Sequence, residues 1–277
     1  MGLLQVIRSK IVRQDLPLVV EFAGGMGAQI ISAAIYFSMK YSAHPVYADF
    51  AYFRQPERIA EVGKAGMLTH WGWKLDLFGL YPSMFEVDAT LNPRNARYLT
   101  DGQEKIEIAL RALSQQDIRD YFKVTPRFDD VLPGWNNTKY LCIHVRRGDY
   151  LNVASHLVND EKFVAMARKL SRLVERAVIL SESTLSEGLR SAFTGAFKEV
   201  RVMDPTDAAS AHRIMRHAHV LIGSNSQFSL VAAALNTDAL TFVPTQWFDG
   251  SDRLIERPVH ARCNFEVFDI FHEPTAC

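Results

Sequence analysis

The chain of 277 residues has few cysteines, no net charge and no long hydrophobic run. Its three cysteines, at 142, 263 and 277, are far apart and form no CxxC pair, which excludes a disulfide framework and a zinc knuckle. The 31 basic residues balance 31 acidic ones, so no nucleic-acid-binding surface is indicated. Charged residues within 8–15 interrupt the apolar N-terminal stretch well short of the roughly 20 residues of a membrane span. We therefore expect a cytoplasmic protein without a transmembrane segment; peripheral attachment to the inner face of a membrane is an open alternative.

Short apolar strands alternate with helices in both halves of the sequence, which is typical of parallel sheets covered by helices. The length favours two domains, and a turn-forming cluster at 133–137 separates the halves. The sequence thus predicts an α/β fold of two Rossmann-like domains, 1–136 and 137–277, with parallel sheets facing a cleft. The predicted strands are 17–23, 45–48, 139–145, 177–181, 199–203, 219–222 and 239–243, and the predicted helices are 28–41, one or two within 103–121, 160–174, 185–196, 207–217 and 226–236.

Ligands of open parallel sheets bind outside the carboxyl ends of the strands, and one such end reads IHVRRGDYL at 143–151. Arginine offers a rigid fork that grips a phosphate in a bidentate manner, so Arg146 and Arg147 are candidate phosphate ligands. Asp149 could orient one of the arginines and His144 could hydrogen-bond the loop. A surface salt-bridge cluster is the competing interpretation of the arginine pair.

A second strand end reads IGSNSQFSL at 222–230 and opens a helix. Ser224, Asn225 and Ser226 are helix-capping residue types, and they also leave a helix N-terminus ready to meet an anion. Both interpretations stay open at this point. The glycine turn at 24–27 allows a ligand to approach the backbone, but it lacks the last glycine of GxGxxG because Ile30 stands there.

Three histidines, at 212, 217 and 219, raise the question of a metal site. His212 and His217 are five residues apart on a predicted helix and do not share a face as an i, i+4 pair would. No carboxylate completes a ligand set, so we expect no bound metal. The Walker lysine pattern and the GxSxG nucleophile elbow are also missing, which disfavours ATP hydrolysis and covalent hydrolysis.

Three segments in this order resemble the bacterial α-1,2-fucosyltransferases of glycosyltransferase family 11, relatives of the α-1,6- and protein O-fucosyltransferases. They are GGMGAQIISAAIYFSMK (24–40), IHVRRGDYL (143–151) and HAHVLIGSNSQFSLVAAALN (217–236). VYADFAYF (46–53) and KLDLFGL (74–80) are similar to two further segments of that family. The resemblance extends over most of the chain.

The resemblance implies a GT-B fold and an inverting, metal-independent transfer of fucose from GDP-fucose to a hydroxyl of an acceptor glycan, without a cofactor. It implies an acceptor-side N-terminal domain, a nucleotide-sugar-binding C-terminal domain and a role in surface polysaccharide synthesis such as that of O-antigen. Arg146 would hold the β-phosphate. No single carboxylate stands out as the base for the acceptor hydroxyl; Asp49 and Glu21, at strand ends of the first domain, are the candidates, and a structural role is the alternative for both. Expected substrate contacts are Gly25, Gly27, Gln29, His144, Arg147, Asp149, Glu182, Ser224, Asn225 and Ser226.

Two departures from the family pattern define the alternatives. The first motif of the family reads GLGNQ, but Ala28 precedes Gln29 here and has no amide to offer a sugar. The last motif usually continues SWW, whereas Ser229 is followed here by Leu230 and Val231. A different deoxysugar, or a non-catalytic module that binds nucleotide sugars or glycans, is therefore an alternative. A Rossmann oxidoreductase ranks third, because Asp49 supplies only half of its signature.

Overall fold

The computed structural model of the protein describes residues 16–62, 72–100, 102–123, 128–152, 157–244 and 265–268. They form two compact units that divide between Lys123 and Val124. This division lies 13 residues before the predicted boundary at 136 (136 − 123). The reason is local packing: a short helix at Phe128–Val131 packs on a helix of the second unit, and the Trp135 indole donates a hydrogen bond to Glu199 (3.0 Å).

The first unit is a three-stranded parallel sheet with the order β2-β1-β3. Helix α1 is buried along almost its whole length, as its apolar sequence requires. Short 3₁₀ helices at Ala51–Arg54, Leu75–Phe78, Pro82–Met84 and Asp120–Phe122 connect the elements. The strands are β1 (Leu18–Glu21), β2 (Val46–Asp49) and β3 (Arg97–Leu99), and the helices are α1 (Met26–Tyr41), α2 (Pro56–Val62), α3 (Gly102–Leu113) and α4 (Gln116–Arg119).

The second unit is built on a six-stranded parallel sheet. Its strands are β4 (Leu141–His144), β5 (Arg176–Leu180), β6 (Glu199–Met203), β7 (Val220–Ile222), β8 (Leu240–Pro244) and β9 (Phe265–Phe268). Its helices are α5 (Phe128–Val131), α6 (Asp160–Leu170), α7 (Glu187–Thr194), α8 (Ala208–His217) and α9 (Gln227–Leu235), with a 3₁₀ helix at Gly148–Asn152. The sheet order β6-β5-β4-β7-β8-β9 corresponds to 3-2-1-4-5-6 when β4 is counted as the first strand. This is the doubly wound Rossmann order, and its direction of winding reverses between β4 and β7.

The central strands of the second sheet are continuously apolar because helices cover them on both faces. Every residue of β4 and β7 is buried, and Phe163 of α6 and Phe193 of α7 are fully buried in the same core. The edge strand β6 is only partly buried along its length. The expected α/β class with two Rossmann-like units is thus confirmed.

Strands β3 and β9 were missing from the sequence-based expectations. They have three and four residues. The predicted helical region 103–121 contains two helices, α3 and α4. No helix within the described segments combines the length and the apolarity needed to cross a membrane.

Candidate functional site

The carboxyl ends of β4 and β7, where the winding of the second sheet reverses, bring two predicted site residues together. His144 is the last residue of β4, and Ser224 follows β7. The Ser224 hydroxyl and His144 Nδ1 share a hydrogen bond of 2.9 Å although the residues are 80 positions apart. Both side chains are buried, with 4% and 3% of their surface exposed. Ligands of doubly wound sheets bind at such a reversal.

His144 is an uncharged group in this site. Burial lowers its pKa to about 3, and the nearby positive charge of Arg146 acts in the same direction. The Phe228 ring packs against the imidazole, with 5.6 Å between ring centroids. A neutral imidazole held in this way serves as a fixed hydrogen-bonding partner of Ser224.

The structure gives the three polar residues before α9 different tasks. Ser226 caps the helix: its hydroxyl accepts a hydrogen bond from the Phe228 amide (3.2 Å). Ser224 is bonded to His144, and its carbonyl accepts from the Ser226 amide (2.8 Å) and the Ser229 hydroxyl (3.1 Å). Asn225 lies between these two serines in the chain. Helix capping by Ser226 and the hydrogen bond of Ser224 to His144 are therefore tasks of different residues in one segment.

Asn225 is the unusual member of this segment because its side chain is 1% exposed and neither its Nδ2 nor its Oδ1 is hydrogen-bonded within the described part of the chain. An unsatisfied polar group of this kind costs roughly 1–3 kcal/mol. It lies directly before the N-terminus of a nine-residue helix, where the helix dipole favours negative charge. A donor and an acceptor are thus available for an oxygen-rich anionic ligand.

Arg146 belongs to the loop that leaves β4, and Glu182 and Tyr150 lie beside its side chain. Its Nε lies 3.4 Å from Glu182 Oε1, and its guanidinium lies 4.9 Å from the Tyr150 ring centroid. Gly148 turns the loop at φ +45°, in the left-handed region. The Arg146 side chain is 15% exposed, so it is held in a half-enclosed position at the strand end.

Arg147 makes different contacts from its neighbour. Its guanidinium forms an ion pair with Asp160 at the start of α6, donates to the Arg146 carbonyl (2.8 Å) and lies 5.9 Å from the Phe163 ring centroid. The residue is 8% exposed. These contacts attach the loop to α6. The side chain of Asp149 lies outside the described part of the structure.

The predicted contacts of the first unit surround the turn between β1 and α1. Gly24 adopts φ +70°, Gly25 precedes the helix and Gly27 is buried in its first turn. Gln29 is fully buried, and its amide group donates to the carbonyls of Gly24 (2.9 Å) and Gly72 (2.8 Å). Its Oε1 accepts from the Lys74 amide (2.8 Å). Both donors of this side chain are therefore occupied by backbone.

The two candidate bases are neighbours, because Glu21 pairs with Asp49 where β1 and β2 end. Asp49 Oδ1 accepts a hydrogen bond from the Ala51 amide (2.8 Å). Lys105 lies beside them, with its Nζ 2.9 Å from the Glu21 carbonyl and 3.7 Å from Glu21 Oε2. Burial lowers the pKa of Lys105, and the charges of Glu21 and Asp49 oppose that shift. Two carboxylates and one ammonium group thus meet at this sheet edge.

A cavity of about 350 Å³ follows the end of β2. It is lined by Phe50, Phe53 and Trp73, with Arg54 as its charged residue. The Trp73 indole is held by a hydrogen bond to the Leu80 carbonyl (2.8 Å). Because Phe50 directly follows Asp49, this aromatic cavity adjoins the chain segment that carries the candidate base.

Sequence reasoning did not single out Tyr150, Asp160 or Phe228, which contact Arg146, Arg147 and His144. Tyr150 lies within IHVRRGDYL, so its proximity to the arginines was a signal in the sequence. Asp160 and Phe228 lie on other elements, and no local pattern identifies them. Within the described ranges, no group of three or more His, Cys, Asp or Glu side chains is placed to hold a metal ion.

No protein-family profile and no curated protein sequence matches the chain. Among solved structures it is similar to POFUT1 in complex with GDP, with 13% identity, a TM-score of 0.47 and coverage of 81% of this chain and 95% of that chain. It is also similar to the fucosyltransferase NodZ from Bradyrhizobium, with 14% identity, a TM-score of 0.41 and coverage of 81% and 94%. The E. coli heptosyltransferase WaaC with ADP-2-deoxy-2-fluoro heptose has 11% identity, a TM-score of 0.44 and coverage of 83% and 88%. Likenesses this distant assign neither a substrate nor an activity.

Proposed function

We propose that the protein is a glycosyltransferase that moves fucose, or a related deoxysugar, from a GDP-sugar to a hydroxyl of an acceptor glycan. The observation that carries this proposal is the buried Asn225 side chain without a hydrogen bond, located at the N-terminus of α9 and at the reversal of a Rossmann sheet. Arg146 follows the neighbouring strand. A helix N-terminus and an arginine suit a diphosphate. The family resemblance of the motifs supports GDP and fucose as the donor's parts.

The proposed reaction is a direct displacement at the anomeric carbon of the donor. The acceptor oxygen forms the new bond while the bond to the β-phosphate oxygen breaks, and the departing GDP takes the electron pair. Negative charge therefore develops on the β-phosphate. Arg146 and the α9 N-terminus stabilise that charge more strongly in the transition state than in the ground state, which is what accelerates the step.

The acceptor hydroxyl has to lose its proton during the displacement. Asp49 is the proposed base, and Glu21 is the alternative, because both are carboxylates at a strand end. Lys105 Nζ lies 3.7 Å from Glu21 Oε2 and adds a positive charge at this strand end. The inverting, metal-independent course, the α-1,2 linkage and the role in surface polysaccharide synthesis are further parts of the proposal, and they rest on the family resemblance.

Calorimetric titration with GDP, UDP and ADP tests the donor assignment. We expect GDP to bind the wild-type protein and to raise its unfolding temperature, because a ligand at 100 times its Kd stabilises the native state by about 2.7 kcal/mol. Incubation with GDP-fucose and a panel of glycans, analysed by mass spectrometry, then tests transfer. Binding of UDP or ADP without binding of GDP would disprove the assignment.

A non-catalytic module that binds a nucleotide sugar is the second candidate, and Gln29 is the observation that favours it. Both amide donors of Gln29 are bonded to backbone carbonyls, and Ala28 offers no amide either. Such a module would bind GDP-fucose with the same affinity in the presence and absence of acceptors and would release no GDP. Release of GDP only when a glycan is present would exclude this candidate.

A further inference from the structure

Glu182, which follows β5, reaches the loop that follows β4. Its Oε1 accepts a hydrogen bond from the Arg147 amide (2.7 Å), 35 positions away in the chain. The same oxygen lies 3.4 Å from Nε of Arg146. Its Oε2 is buried without a hydrogen bond to any described residue. One carboxylate thus accepts a hydrogen bond from the backbone of the arginine loop and forms an ion pair with one of its side chains.

Gly148 makes this arrangement sterically feasible. A Cβ atom at this position would lie 2.9 Å from Glu182 Oε1 and 3.3 Å from Glu182 Cγ. The residue also adopts φ +45°, which side chains rarely allow. On the guanidinium, the Tyr150 ring provides a second contact. Glu182 therefore packs directly against the loop Arg146-Arg147-Gly148, although it is distant in the sequence.

We propose that Glu182 is a positioning residue: it fixes the Arg146 guanidinium against the Tyr150 ring for contact with an anionic ligand. The carboxylate lies 3.4 Å from the guanidinium at Nε, and a guanidinium held in place can grip a phosphate in a bidentate manner. In this proposal Glu182, which the family resemblance places among the substrate contacts, acts through Arg146. The proposal rests on the proposed function only for the identity of the ligand as a nucleoside diphosphate.

The first test needs no donor. Arginine labelled with ¹⁵N at Nε yields one signal for each ordered guanidinium, and Arg146→Lys identifies the signal of Arg146. We expect an order parameter for this Nε close to the roughly 0.85 of rigid groups in the wild type and below about 0.6 in Glu182→Gln. Gln keeps the length of the side chain and an acceptor for the Arg147 amide, so thermal unfolding should change little. An equally rigid Arg146 in Glu182→Gln would overturn the proposal, whether or not the protein binds GDP.

The second test separates positioning from nucleoside contact. In Glu182→Gln we expect turnover with GDP-fucose to fall about tenfold or more, while the Kd of GDP changes less than about threefold. The reason is that stabilisation of the transition state requires a correctly oriented Arg146 guanidinium. Gly148→Ala should show the same pattern, since its methyl group displaces Glu182. Ser183→Ala, next to Glu182, is the matched control and should keep wild-type turnover. Weakened GDP binding with unchanged turnover in Glu182→Gln would assign Glu182 to the nucleoside and refute positioning.

Discussion

Gln29 and Asn225 are both buried carboxamides near a junction where a parallel strand leads into a helix, yet their surroundings differ completely. Gln29 is hydrogen-bonded to three backbone groups at 2.8–2.9 Å. Asn225 has no hydrogen bond in the described structure. The first amide stabilises the protein, whereas the second lowers its stability and is available to a ligand. Burial of a polar residue is therefore compatible with stability where the fold supplies hydrogen-bond partners, and it lowers stability where the fold does not.

The largest expected effect is that of replacing Arg146, which the proposed mechanism places at the leaving phosphate. Arg146→Ala should reduce kcat by about 10²–10³-fold, because a preorganised positive group at the leaving phosphate is lost. Steady-state kinetics with GDP-fucose and a glycan acceptor measure this. Circular dichroism should show a folded protein, and Arg168→Ala on the exposed side of α6 is a control. Turnover near that of the wild type would remove Arg146 from the mechanism.

Gln29→Leu tests the structural side of the comparison. The substitution leaves the carbonyls of Gly24 and Gly72 and the amide of Lys74 without their partner, so we expect a loss of about 2–4 kcal/mol in the free energy of unfolding. Urea denaturation measures the loss. Gln29→Glu is the companion variant, since it keeps the size and one acceptor but removes both donors. Unchanged stability in Gln29→Leu would show that the three bonds contribute nothing.

Asn225→Leu tests the ligand side. Replacing an unbonded buried amide with an apolar group of similar size should leave the free energy of unfolding unchanged or raise it by about 1 kcal/mol. The affinity for GDP should fall about tenfold, which corresponds to about 1.4 kcal/mol. Calorimetry and urea denaturation of the same preparation supply both values. If Asn225→Leu were destabilised but bound GDP with wild-type affinity, Asn225 would be a structural residue and not a ligand contact.

A further expected effect concerns the pH dependence of stability at His144. Its folded pKa of about 3 lies below the ordinary value of 6.5, so the unfolded chain binds a proton in this window and the folded chain does not. The stability contribution of neutral His144 is complete above pH 6.5 and is lost as the pH falls toward 3, by at most roughly 1.4 kcal/mol per pH unit. His144→Asn should reduce the slope of unfolding free energy against pH. Equal slopes in both proteins between pH 6.5 and 4.5 would contradict this.

The alternation of strands and helices was readable from the sequence because apolar periods are local. The bounds of β4, β5, β6 and β7 agree with the predicted strands to within about two residues. The pairing of β9 with β8, by contrast, is not indicated by any pattern in the neighbouring sequence, because β9 joins the edge of a sheet formed by distant segments. In the site, the proximity of His144 and Ser224 follows from the rule for strand ends in parallel sheets.

The partners of the polar groups could not be predicted in the same way. Glu182 is an expected substrate contact, and in the structure its carboxylate accepts a hydrogen bond from the Arg147 amide. Arg147 was expected at the phosphate, and its guanidinium is paired with Asp160. In both cases the partner lies on an element whose position is set by packing of the core. The local sequence around an arginine contains no information about which distant carboxylate it will meet.

The sequence by itself determined the α/β class and predicted the segments of the candidate site, because hydrophobic periodicity and glycine or capping residues act over a few positions. Only the tertiary structure decided which of the polar residues are satisfied. Gln29 finds Lys74, 45 positions away, and Ser224 finds His144 across 80 positions, while Asn225 finds no partner among the described residues. Whether a buried amide is hydrogen-bonded depends on groups that folding brings together. This is why only the tertiary structure distinguishes Gln29, whose amide is hydrogen-bonded, from Asn225, whose amide is not.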